Sequence, residues 1–201
     1  MVLSHPIHRM VVLVGFLFAA AGASETAEAV QNGARRDRSP AIKAAYLVQF
    51  ARYVWWPPSG KKTGKSRLDR VHILVINADS VGTQLARLQA RASLPIRPVV
   101  RRVRALAELR AADIQWSHIV YVPDPAVARL VAAAHPNKPV LLVTDGRWGT
   151  RSGAAIAFYR SDNKVRLEIA PHNASRRGLE LSSRLLRVAG AISRDAGETP
   201  R

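Results

Sequence analysis

The sequence predicts an α/β fold: three layers, with a mainly parallel twisted sheet, helices on both faces, and a C-terminal antiparallel hairpin followed by a final helix. Three observations carry this. Near-continuous apolar runs of strand length recur at Val71–Ile76, His118–Val122 and Val140–Thr144, the signature of strands buried on both faces. Segments with apolar residues at helical spacing separate them, and such alternation builds βαβ units. After Gly153 the apolar period falls to two, through Ala155–Tyr159 and again through Val165, Leu167 and Ile169. That is a hairpin, with a polar turn over Ser161 to Lys164.

The elements follow in order. Ser39-Pro40 opens a helix, Ser as N-cap and Pro in the first helical position. Ile42, Tyr46, Phe50 and Tyr53-Val54 give it an apolar face, and Trp55-Trp56-Pro57-Pro58 stops it. A basic loop, 59–70, leads to the first core strand. Asn77–Ser80 turns the chain into a helix marked by Val81, Leu85 and Leu88. Val99–Val103 is a strand near a sheet edge, given its arginines and the prolines before it. Leu106 and Leu109 suggest a short helix. Asp124-Pro125 caps another that runs to about Ala134. The spacing of Leu181, Leu185, Leu186, Val188 and Ile192 predicts the final helix.

The ends of the chain read differently. Residues 1–23 have the form of a secretory signal peptide: Arg9 ahead of the apolar run Met10–Ala21, then Ala21-Gly22-Ala23. Cleavage is expected after Ala23, delivering the protein to the periplasm. The run is too short for the ~20 residues of a membrane span. Residues 24–39 read as a disordered leader, 40–193 as a single α/β domain and 194–201 as a flexible tail.

Composition narrows the chemistry. The 201 residues carry a net charge of +17, which favours acidic partners: nucleic acid, anionic headgroups or an acidic protein face. The charge is dense only at Arg101–Arg104 and Lys61–Lys65, so a solvated basic surface competes with a binding footprint. There is no cysteine, which removes disulfides, thiol catalysis and Cys-based zinc sites. Gly60–Ser66 has the composition of a phosphate loop. It places three residues between its glycines where the P-loop has four, and it follows prolines rather than a strand.

No mature-chain histidines pair at metal-ligand spacing, although folding could bring strand residues His72 and His118 together. The serines lack a nucleophile elbow. Asp79 and Asp145 follow the first and last core strands, where α/β sheets present ligand-binding loops; both also suit turns and helix starts. Trp55, Trp56, Trp116 and Trp148 either plug the core or form a surface patch. No enzyme, cofactor, metal or nucleic-acid partner is expected from this inventory.

Four segments resemble the YfiR-like periplasmic family. They are the opening helix Lys43–Pro57, the strand Ile73–Ile76, Pro139–Asp145 ahead of a glycine, and the closing block. Within that block Ile156–Phe158, Val165–Ile169 and Gly178–Leu186 follow the family pattern. The likeness runs from about Ala41 to Ala189. It implies a regulator that binds the periplasmic sensor domain of an inner-membrane diguanylate cyclase and represses it, restraining cyclic-di-GMP and biofilm. It also implies a homodimer, with membrane contact only through the partner. Partner-binding positions carried over from the resemblance are Phe158, Glu168, Ile169 and Leu179. The best-known family members use disulfides, and with no cysteine here thiol redox cannot release repression. Without the resemblance, the competing function is a small-ligand or peptide-binding accessory of a membrane system, using Asp79 and Asp145.

Overall fold

The computed structural model describes residues 38–57, 68–91 and 93–193. The signal peptide with its cleavage point, most of the leader, the Gly60–Ser66 loop and the 194–201 tail lie outside the described residues. The chain divides into two compact units at Arg38–Ser39, and the architecture below is that of the second.

Helix α1 (Arg38–Phe50) holds Pro40 in its first turn. It ends sooner than the sequence predicts: Val54–Trp55 forms a two-residue strand, β1. Next come β2 (Arg70–Ile76), α2 (Asp79–Gln89) and β3 (Arg97–Val103). A single 3-10 turn at Leu106–Glu108 precedes α3 (Ala111–Trp116). Then follow β4 (Ile119–Val122), α4 (Pro125–Ala134) and β5 (Leu141–Asp145). In α4 the Asp124 carboxylate accepts from the Ala126 N–H at 2.8 Å, with Pro125 behind it, the start that the sequence marks.

The main sheet has the order β3-β2-β4-β5-β6-β7-β9, where β6 is Ile156–Ser161, β7 is Lys164–Ile169 and β9 is Ala191–Ile192. From β3 through β6 every pairing is parallel, and β6–β7 is antiparallel. All four residues of β4 are buried, as a strand covered on both faces requires. On one face Val71, Ile73, Val75, Ile119, Tyr121, Leu141 and Val143 pack with α1 and α2. On the other, Leu74, Ile76, Val120, Val122 and Leu142 meet Ile114 of α3 and Ala128 and Val131 of α4. Strand β3 forms the sheet edge, as its arginines and proline predict. The Gln89 side chain accepts the Val100 N–H at 2.8 Å, so this edge donor is already used.

The hairpin is β6 (Ile156–Ser161) and β7 (Lys164–Ile169). Its two central turn residues, Asp162 and Asn163, have φ of 51° and 57°, the left-handed pair that matches strand twist and suits Asp and Asn. The final helix is shorter than the spacing predicts. The predicted run breaks into β8 (Glu180–Leu181), α6 (Ser183–Arg187) and β9 (Ala191–Ile192), after a short α5 (Pro171–Ser175). Strand β8 pairs with β1, and β9 adds to β7. Ser182 caps α6, accepting from the Arg184 N–H, and the helix that follows is only five residues long. Tertiary pairing overrides the helical period there.

Candidate functional site

The family-like segments that lie far apart in sequence meet in space. Lys43 of α1 reaches the carboxyl ends of β4 and β5. Its Nζ lies 2.5 Å from an Asp145 carboxylate oxygen, and Tyr121 OH donates to the other oxygen at 3.0 Å. Burial first, and then the Asp145 charge, push the Tyr121 phenol well above its ordinary range, so it remains a proton donor. Beneath the ion pair Phe158 stacks on Phe50 with ring centres 6.0 Å apart, and Tyr46 and Tyr121 approach the same ring at 6.0 and 6.1 Å. Lys43, Phe50 and β1 come from the opening segment; Asp145, Phe158 and β8 come from the third segment and the closing block. Three of the four signature segments thus meet at one joint.

The residues named from sequence fall as follows. Asp145 is tied to Lys43 and Tyr121. Asp79 is exposed in the first turn of α2, where its charge suits the positive helix end. Phe158, Glu168, Ile169 and Leu179 are all buried, none more than 2% exposed. By alternation Glu168 lies on the side opposite Leu167 and Ile169, and it is buried there because Thr150 of the 3-10 turn Gly149–Ser152 packs on it. Thr150 Oγ1 donates to Glu168 at 2.5 Å. The other Glu168 oxygen has no hydrogen-bond partner. Arg177 of the closing block is buried too, and donates to the His135 and Ala132 carbonyls at the end of α4. Its burial lowers its pKa below the usual guanidinium value.

Surface character lies nearby. Val188 and Ile192 are 61% and 50% exposed, beside the short terminal strand β9. Their helical spacing in the sequence predicts a packed helix face, whereas both side chains stand in solvent. Strand β9 is the last strand in the sheet order, and Ile192 sits opposite the buried Ile169. Of the four tryptophans, Trp56 is buried and Trp116 stacks on His72 at 4.4 Å, whereas Trp148 is 54% exposed.

At the opposite end of the sheet the two strand histidines do meet, with ring centres 5.1 Å apart. His118 Nδ1 accepts the His72 backbone N–H at 3.1 Å. Burial, and secondarily the neighbouring His72, hold the His118 pKa below its ordinary value. The folded state therefore resists a proton that the unfolded chain takes up near pH 6.5. Stability is complete above that pH and declines as pH falls below it, toward the lower folded-state pKa. His118→Asn, whose side-chain oxygen can accept the same N–H, is expected to flatten the fall of Tm between about pH 7 and pH 5. An unchanged slope would assign the acid sensitivity elsewhere. No group of His, Asp or Glu among the described residues is arranged to hold a metal ion.

Comparison with known proteins adds the following. A family model described as DUF4154, YfiR/HmsC-like, matches residues 40–190. No curated protein matches the chain. Among solved structures, an ABC domain from Streptococcus pneumonia, in complex with L-Trp, is similar at a TM-score of 0.47 and 13% identity, covering 61% of this chain and 55% of that one. A conserved domain protein from Vibrio cholerae O1 biovar El Tor is similar at 0.42 and 14%, covering 61% and 54%. The chain spans about half the length of each. At these TM-scores neither likeness carries an argument.

Proposed function

The chain belongs to the YfiR/HmsC-like family, and from that premise we propose that it binds the periplasmic sensor domain of an inner-membrane diguanylate cyclase and represses it. Family members are periplasmic regulators of diguanylate cyclase signalling rather than enzymes. The single observation that carries the reading is the match over residues 40–190, which takes in all the sheet strands up to β7 and the closing block through α6. The interlocking of Lys43 with Asp145, and of β1 with β8, supports it, since the matched segments form one framework. No helix among the described residues is long and apolar enough to cross a membrane.

The contact surface proposed here is the exposed apolar rim of the closing block, Val188 and Ile192. Phe158, Glu168, Ile169 and Leu179 act beneath it as the framework that sets its shape. An aliphatic pair left in water at a sheet margin gains by burial against a partner, about 1.5–3 kcal/mol per side chain fully covered. Deleting the gene should raise cellular cyclic-di-GMP, and the purified protein should bind the sensor domain. Unchanged nucleotide levels together with no binding would sink the reading. A homodimer, which the resemblance implies, would show as a doubled mass in light scattering.

A further inference from the structure

We propose that the Trp148 turn and the adjoining hairpin end form a docking site for an anionic lipid bilayer, so that the protein meets the membrane surface directly. Strand β5 ends at Asp145, which pairs with Phe158. The hairpin continues beyond that register through Ser161 and returns from Lys164, so its tip projects past the parallel strands. The turn after β5 lies against it: the Gly146 N–H donates to the Phe158 carbonyl at 2.8 Å. Here rings and cations alternate. The Arg147 guanidinium lies 6.0 Å from the Tyr159 ring centre and 5.6 Å from that of Trp148, and Arg151 lies 5.0 Å from Trp148.

Arg147, Arg151, Arg160, Lys164 and Arg166 are exposed around this end. Asp162 answers Arg166 at 3.9 Å and leaves the cations in excess. Trp148 itself stands 54% exposed at φ 66°, a conformation unfavourable for a bulky residue and retained only where the surroundings impose it. An amphipathic indole ringed by guanidiniums, on a projecting end rather than in a cleft, fits the headgroup level of a bilayer. There the indole partitions and each basic residue gains from anionic lipid.

The test is cosedimentation of the full chain with phosphatidylcholine vesicles, with and without phosphatidylglycerol. Binding is expected only with the anionic lipid, weakening as salt rises. Arg147→Gln/Arg151→Gln is expected to weaken it about thirtyfold. Trp148→Gly should weaken it roughly tenfold without lowering Tm, since glycine adopts that backbone freely. Arg87→Gln/Arg97→Gln, on α2 and the far sheet edge, should leave it unchanged. No binding by the native chain, equal binding by the Trp148 and Arg147/Arg151 variants, or equal loss in the Arg87/Arg97 control would overturn the proposal. An acidic protein held at these residues while vesicles are ignored would do so as well. No cyclase enters the assay, so its result is independent of the repression reading.

Discussion

Ile169→Asp is expected to prevent folding, not merely to abolish binding. Ile169 is fully buried in β7, opposite Ile156 on one side and Ile192 on the other. A carboxylate placed there would sit among Phe158, Leu167 and Ala174 in the larger core cluster. Burying an unpaired charge costs several kcal/mol even after relaxation, comparable with the whole stability of a domain, about 5–15 kcal/mol. Circular dichroism should show no cooperative thermal transition. A native-like melting curve would mean that β7 is far less constrained than its burial implies.

Phe158→Ala should fold but lose about 3–5 kcal/mol, the usual cost of deleting a buried aromatic. The ring touches Phe50 and Tyr46 of α1 and Tyr121 of β4, and Lys43 Nζ lies 5.9 Å from its centre. Its removal therefore loosens α1 from the sheet as well as leaving a cavity. A Tm lowered by roughly 10–15 °C is expected for a domain of this size. A loss under about 1 kcal/mol would show that the site collapses, and that the joint between α1 and the sheet rests on the Lys43–Asp145 pair instead. Both substitutions weaken repression through the fold, so neither can locate a partner surface.

The alternation of strands and helices from β2 to β5 was legible because β2, β4 and β5 are short apolar runs and Asp124-Pro125 marks the start of α4. The hairpin was legible from its period of two. The closing segment was not. Leu181, Leu185 and Leu186 fit a helical period, yet Leu181 pairs with Val54, more than a hundred residues earlier in the chain, and Ile192 with Ile169. Pairings of that range leave no local periodicity. The same holds at the candidate site: Lys43 and Asp145 are separated by 102 positions, and nothing in either neighbourhood announces the other. Glu168 shows the limit of alternation. It occupies an outward position by count, but the turn carrying Thr150 closes over it. Val188 and Ile192 were hidden for the converse reason, since a presumed helix face gave two exposed side chains a buried role.

We propose that the exposed rim of the closing block, Val188 and Ile192, rather than its buried framework meets the cyclase. Val188→Asp/Ile192→Asp should leave Tm within a few degrees of native, as surface changes usually do. Titration calorimetry against the purified periplasmic sensor domain tests it most directly. The native chain should bind, and the double variant should bind at least about thirtyfold more weakly, as expected when a central apolar contact is replaced by charge. Equal affinity of the two folded proteins for the sensor domain would contradict the claim.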